Sequence, residues 1–316
     1  MAEAGPHDHP EPVVDEAAMA TLEVLDGATL DWGRVTKTTF LAHHVLRYVY
    51  PGPIQALRHR LLVVPPASLG DQRRIVHRVE VAGARARTAE YVDRFGNLVV
   101  EVNADRVEAE IRFEAWAVAE RCAGCPPATL PAGRAAHLGL AAPSRLTEPD
   151  PALRAAAAEL AAAGPGGLDL AERAADWTSR VFTYGHGTTG VATTAAQALA
   201  GGRGVCQDYA HVLLALLRTA GLAARYVSGH LLGEGGTHAW VEVLLPDPAR
   251  PGLLAAVGLD PTNARRAGPG YLTIAVGRDY GDVSPTSGTF EADYPGRLSS
   301  SRRVGVTAVE YGLSRG

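Results

Sequence analysis

Apolar and polar positions follow one rule in the first part of this chain and another in the second. Between Thr36 and Glu120, β-branched, aromatic and alternating residues form short runs at 40–50, 60–64, 75–81, 88–93, 97–102 and 107–118, separated by Pro, Gly, Asp or Asn. Period-two alternation in short, regularly spaced runs predicts antiparallel strands, and together they predict a β-sandwich. Past residue 150 the period lengthens. Residues 151–163 read as an Ala-rich helix, 169–181 as a helix with Asp169 at its N-cap, and 193–199 as a shorter one. A continuous apolar run from Ala210 to Leu217 predicts a buried helix. Alternation returns after His238, around 253–257 and at 271–276, so three more strands are expected, with a charged turn at 278–282 and a last strand over 302–313.

These patterns divide the chain into a loosely ordered or disordered segment 1–32, a β-sandwich domain 33–120, a Pro/Gly-rich linker 121–149, and a core 150–316 that includes the C-terminal strand. The fold class is α+β, since helices and strands are segregated rather than strictly alternating. With 316 residues and 47% hydrophobic content the chain can bury a sizeable core and accommodate about two domains. The first dozen residues lack the basic start and apolar stretch of a secretory leader, and no apolar run has the length of a membrane span, so a cytoplasmic protein is expected. His7 and His9, in that Pro- and acid-rich opening, read as solvated rather than metal-bound.

Formal net charge is −4 with both signs interleaved, which offers neither nucleic acid nor anionic lipid a basic face. Lys37 is the sole lysine, so few amines are present for self-acylation. Arg278 and Asp279 read as a pair or cap at a sheet end. Three cysteines do not make a disulfide framework. Cys122 and Cys125 have the spacing of half a zinc site or a redox pair, but no second pair follows, and they read as incidental loop cysteines.

Cys206 follows Gly201-Gly202-Arg203-Gly204 and opens the helix that carries the apolar run. Unpaired amides and the positive end of the helix dipole favour a thiolate there, and the thiolate is the attacking form. His238 begins an alternating segment, and Asp260 stands 22 residues later, followed by Pro261. Singly, each has a plainer reading: a small buried thiol, a satisfied core histidine, a turn aspartate. Two neighbouring antiparallel strands facing the helix terminus would let His238 accept the thiol proton through one ring nitrogen while Asp260 holds the other.

The segments GVCQDYAH, THAWVEV and LDPTNAR, in that order, are similar to the transglutaminase-like superfamily, circularly permuted relatives of papain-type cysteine proteases. Phe182-Thr-Tyr184, Ala223-Ala-Arg-Tyr-Val-Ser-Gly229 and residues 276–288 extend the resemblance to its bacterial branch, while His44-Val-Leu-Arg-Tyr-Val-Tyr-Pro51 and Asp93-Arg-Phe-Gly-Asn97 resemble the β-rich domain that precedes many such cores. The resemblance implies a transglutaminase/papain-like cysteine core behind the sandwich, with Cys206 as nucleophile, His238 as general base and acid, and Asp260 as the group that orients it. One departure is visible: family members often carry a Trp shortly before the Asp-Pro-Thr, where this chain has Ala256-Val257-Gly258.

The expected reaction is acyl transfer from an amide of a peptide, protein or small molecule through a Cys206 acyl-enzyme, with water as the default acceptor. An amine acceptor would make a transglutaminase or amide-forming enzyme instead, and a non-catalytic peptide-binding module is the alternative outside enzymes. No metal or organic cofactor is required.

Overall fold

The computed structural model describes residues 23–233 and 236–312. Seven strands come first: β1 (Val35–Val49), β2 (Ile54–Leu61), β3 (Ser68–Leu69), β4 (Gln72–Ala82), β5 (Ala86–Val92), β6 (Leu98–Val107) and β7 (Glu110–Cys122). The helical part follows with β8 (Thr129–Pro131), α1 (Ala132–His137), α2 (Pro151–Ala162), α3 (Gly167–Val181), β9 (Thr183–Tyr184), α4 (Ala195–Gly201), β10 (Arg203–Gly204) and α5 (Cys206–Thr219). The chain ends with β11 (Ala223–Leu231), β12 (His238–Pro246), β13 (Leu253–Asp260), β14 (Arg265–Arg266), β15 (Tyr271–Gly277), α6 (Tyr280–Val283), β16 (Thr286–Glu291) and β17 (Arg297–Tyr311).

Two antiparallel sheets, ordered β17-β1-β7-β4-β3 and β16-β2-β6-β5, form the sandwich. Leu46 of β1 and Phe113 of β7 on one sheet meet Leu57 of β2 and Val102 of β6 on the other in a shared core. The expected C-terminal strand therefore does not belong to the core 150–316. β17 pairs along β1, from Val35↔Tyr311 to Val49↔Arg297, and β16 pairs with β2, so the end of the chain returns to complete both sheets of the first domain. The edge of β1 away from β7 would otherwise be left open.

The core sheet runs β14-β13-β12-β11-β15, with β8 added beside β13. α5 is buried on every side from Asp208 to Arg218. A helix apolar all round must lie inside a core, and Val212, Leu213 and Leu216 pack with Ala171 and Ala174 of α3 and Val241 and Val243 of β12. Its C-terminal end is fixed by Arg218, whose guanidinium donates to the carbonyls of Leu140, Ala224 and Arg278 and to Thr147 Oγ1. Burial pulls that guanidinium down to about 10.

Two expected boundaries change. The segment 121–149 is not a free linker: Leu130 pairs with Leu254 in the core sheet, and Leu138 and Leu140 are buried beside Leu244. Residues 23–32 are likewise ordered, because Leu25, Leu30 and Trp32 pack against Phe40 and Leu272, and Leu25 N donates to Val306 O. Residues 1–22, with His7 and His9, and residue 313 lie outside the described residues. The cysteines expected to be incidental are bonded to each other, with Cys122 and Cys125 Cα atoms 5.5 Å apart across the turn that leaves β7.

Two side-chain carboxamides join the domains. β15 is an edge strand, and Gln72 both donates to Thr273 O and accepts from Thr273 N at 2.8 Å. Asn97 does the same for Val276, also at 2.8 Å. Each amide gives the strand one N–H donor and one carbonyl acceptor and so replaces the missing neighbouring strand. Among the described residues no helix is long and apolar enough to cross a membrane.

Candidate active site

Cys206 is the first residue of α5 and is partly exposed. Its N-cap neighbour Val205 has no side-chain acceptor, so the helix start is held from within: Asp208 Oδ2 reaches back to Val205 N at 2.8 Å and also accepts from Thr189 Oγ1 at 2.7 Å. Gly204 makes room for this contact, since a Cβ there would lie 2.6 Å from Asp208 Oδ2. Burial pushes the Asp208 carboxyl up, against the lowering effect of those hydrogen bonds, and Oδ1 has no partner among the described residues.

His238 starts β12, and Asp260 ends β13 beside it. His238 Nε2 stands 2.7 Å from Asp260 Oδ2, with both side chains buried. Cys206 lines the same cleft as the imidazole and, with Asp260, acts to raise its pKa; with Nε2 taken by Asp260, Nδ1 is the nitrogen left for sulfur. Desolvation alone would lower the imidazole, but the hydrogen bonds and charges of Asp260 and Cys206 outweigh it and raise it to about 10. For Asp260, burial favours the neutral acid, yet the hydrogen bond and charge of His238, with further bonds from Asn263 and Tyr271, hold the carboxyl below its usual value. The three residues singled out in the sequence are thus brought together, in the order thiol, imidazole, carboxylate.

Asp260 is held more firmly than its sequence context suggested. Oδ1 accepts from Thr262 N at 3.0 Å and Asn263 N at 3.2 Å, so the Asp-Pro-Thr-Asn segment is indeed a turn. Oδ2 accepts from Asn263 Nδ2 at 2.9 Å and from Tyr271 Oη at 2.8 Å. Arg265 Nε donates in turn to Tyr271 Oη at 2.9 Å. Asn263 was legible as part of the motif. Tyr271 was read only as the start of a strand, and nothing near it in the sequence announced a partner eleven residues back.

Beneath His238 lies the Trp240 indole, with ring centroids 6.1 Å apart and planes 23° from parallel. Trp240 comes within 3.7 Å of the Cβ position of Gly258, which also has Ala267 Cβ at 2.7 Å. Trp240, on the neighbouring strand, thus packs beside the Ala256–Gly258 stretch on this side of the sheet. Arg278 bonds Asp282 Oδ2 through Nε at 2.8 Å, and Asp279 caps Gly281 N at 2.8 Å, so both are structural, as read. Among the described residues no three His, Cys, Asp or Glu side chains are grouped to hold a metal ion.

Cys206 and His238 open into a cleft of about 370 Å³ whose walls include Tyr184, Gln207, Ser228 and Tyr280. A buried, anchored ion pair at the floor of a cleft, with the helix amides beside the sulfur, is suited to nucleophilic attack on a carbonyl and to returning a proton to the leaving group.

Residues 154–249 match the transglutaminase-like superfamily core, and residues 41–120 match the bacterial transglutaminase-like N-terminal region. The first match contains Cys206 and His238; Asp260 lies beyond its end. Over 272 residues the chain is 32% identical to an uncharacterized protein of Mycobacterium tuberculosis, covering 78% of this chain and 85% of that one. It is 30% identical over 268 residues to an uncharacterized protein of Mycobacterium leprae, covering 78% and 91%. Among solved structures, a candidate cysteine protease from Cytophaga hutchinsonii superposes with a TM-score of 0.71 at 18% identity, over 88% of this chain and 94% of that one.

Proposed function

The chain belongs to the transglutaminase-like superfamily, and from that membership we propose that it is a thiol-dependent acyl-transfer enzyme, a cysteine peptidase or amidase whose acyl-enzyme forms on Cys206 and is released by water. The observation that supports this reading most is the placement of His238: Asp260 occupies Nε2 at 2.7 Å, and the imidazole shares its cleft with the Cys206 thiol, which helps to raise its pKa.

In this mechanism the Cys206 thiolate adds to the carbonyl carbon of the bound amide, and the negative charge moves to oxygen. The backbone N–H of Cys206, at the start of α5, is placed to donate to that oxyanion. Imidazolium Nδ1–H passes its proton to the amide nitrogen, the C–N bond breaks, and the amine leaves a thioester behind. Water then attacks the thioester while His238 takes its proton, and collapse of the second tetrahedral species expels the thiolate and releases a carboxylic acid. Asp260 keeps its charge throughout and stabilises the imidazolium. The Cytophaga relative's description as a candidate cysteine protease agrees with this reading.

The test is acid-quench mass spectrometry of the protein incubated with a peptide mixture in ¹⁸O-labelled water. Hydrolysis predicts an acyl adduct on the Cys206 peptide and ¹⁸O in the product carboxylate. Adducts with unlabelled, amine-linked products would identify an amine-accepting enzyme. No adduct, together with no alkylation of Cys206 by iodoacetamide at neutral pH, would leave a peptide-binding module.

A further inference from the structure

The cleft that contains Cys206 has one wall from the other domain. Arg302 lines it, and Arg302 belongs to β17, the strand that returns to the first domain's sheet. In that sheet Arg302 is the direct cross-strand partner of His44, so the two side chains project from the same face. His44 is buried on that face, with its Nε2 3.2 Å from His230 Nε2 of the core sheet. The face therefore points at the catalytic domain. A second hollow of about 230 Å³, lined by His230, Gly236, Arg302 and Arg303, continues the cleft past the guanidinium.

Among the described residues, Arg302 combines a place on the cleft wall with the lack of a hydrogen-bonding or ion-pair partner, whereas several other arginines of the sandwich are paired. Arg47 pairs with Glu110, Arg78 with Glu80, Arg106 with Glu108 and Arg112 with Glu114. The guanidinium of Arg302 makes no hydrogen bond or ion pair among the described residues. No Asp or Glu stands among the described residues that line the cleft. The two buried histidines beside it offer no negative charge. Desolvation is the main cause that keeps both neutral, His230 being lowered to about 4, and the Arg302 charge acts in the same direction. A cation with five N–H donors thus faces a cleft that ends at a nucleophile, without a counter-ion from the described residues.

We propose that Arg302 is a specificity-determining residue that receives a carboxylate of the acyl donor, so that the substrates are peptides with an acidic side chain, or a free C-terminal carboxylate, close to the amide that is cut. The proposal rests on the reading of Cys206 as the nucleophile, and it gives the β-sandwich a part in substrate recognition. A guanidinium matches a carboxylate with two parallel hydrogen bonds. Because Arg302 is exposed, the attraction is screened by salt and modest in size.

The experiment compares two electrophiles of equal length and reactivity, N-iodoacetylglycine and N-iodoacetylglycinamide, which differ in whether the far end is a carboxylate or an amide. Second-order rates of Cys206 alkylation are measured at low ionic strength for the wild type, Arg302→Gln and Arg302→Lys. The wild type is expected to prefer the anionic reagent by about two- to fivefold, Arg302→Gln to bring the ratio close to one, and Arg302→Lys to retain part of it. The positive charge of His238 is present in all three proteins, so the change in ratio belongs to position 302. A preference that survives in Arg302→Gln, or none in the wild type, overturns the proposal. Failure of both reagents to modify the wild-type thiol would remove the thiol reading as well, which is a distinguishable result. Protection against alkylation by a Glu-containing peptide amide or by a neutral peptide with a free carboxyl tells the two carboxylate sources apart. Protection by neither counts against the proposal.

Discussion

The Tyr271 hydroxyl donates to the same Asp260 oxygen that His238 holds, at 2.8 Å against 2.7 Å. Tyr271 lies on β15 and Asp260 on β13, at opposite sides of the core sheet order, so the contact comes from the fold and not from local sequence. Arg265 steadies the phenol from behind. Each added donor to Oδ2 disperses the carboxylate charge and fixes its plane, and a fixed plane gives the imidazole a single orientation.

Tyr271→Phe should therefore act on position more than on charge. Removing a buried hydrogen bond to a charged group costs about 1.5–3 kcal/mol, while Asp260 keeps its bonds from Asn263 and from two backbone amides. Chemical denaturation should show a loss of stability in that range. Activity should fall less than in Asp260→Asn, since the anion remains. A variant as stable as the wild type would mean that the phenol contributes nothing to the carboxylate.

Cys206→Ala should abolish turnover and keep the fold. The residue is at the partly exposed start of α5, where truncation leaves only a small space at the edge of the core, so a stability change of roughly 1 kcal/mol is expected. Turnover above about a hundredth of wild type, with the circular dichroism spectrum preserved, would count against a cysteine nucleophile.

Much of this site could be read from the sequence because its chemistry is local. A thiol at a helix start and a histidine opening a strand are visible as changes of period, and Asp260 shapes its own turn through Thr262 and Asn263. What the sequence did not show depends on pairing across the fold. Tyr271 reaches Asp260 because β15 and β13 share a sheet, and Arg302 reaches the cleft because β17 returns to β1. Alternation identifies strands but not their neighbours. The ordered segments at 23–32 and 121–149 escaped for a different reason. Each contributes a few isolated apolar anchors, such as Trp32 and Leu140, among turn-forming residues, and no periodicity marks such anchors.

His238→Ala and Asp260→Asn should separate proton transfer from orientation. His238 is the base held by the carboxylate in the cleft that contains the thiol, so His238→Ala is expected to lose nearly all activity. Asp260→Asn keeps the shape but can present an amide to Nε2 and favour the wrong tautomer. In a serine enzyme the comparable change costs about ten-thousandfold, whereas a thiol depends less on its base, so a smaller loss is expected here. Equal kcat/KM losses in the two variants, both folded, would show that the ranking is wrong.

The final prediction concerns acid stability and involves four histidines outside the triad. Burial is the leading cause that lowers His59, His211 and His230 to about 4, and His44 lies well below its usual value for the same reason. An exposed histidine in the unfolded chain titrates near 6.5, about where these four would release their protons if freed. As pH falls from about 6.5 toward 4, the unfolded state binds protons that the folded state refuses. The stability contribution is therefore intact above about pH 6.5 and is lost progressively through the folded value. Each histidine can remove up to about 1.4 kcal/mol per pH unit in that window. His238 has the opposite sign: its raised value, about 10, gives stability that is present below about pH 6.5 and lost as pH rises toward 10. Urea denaturation at pH 7, 6 and 5 should show stability falling with a slope of more than one proton, before most carboxylates titrate. His44→Phe, which places an apolar ring beside His230, should reduce that slope by up to one proton. A flat profile from pH 7 to 5, or an unchanged slope in His44→Phe, would show that these histidines do not remain neutral inside the folded protein.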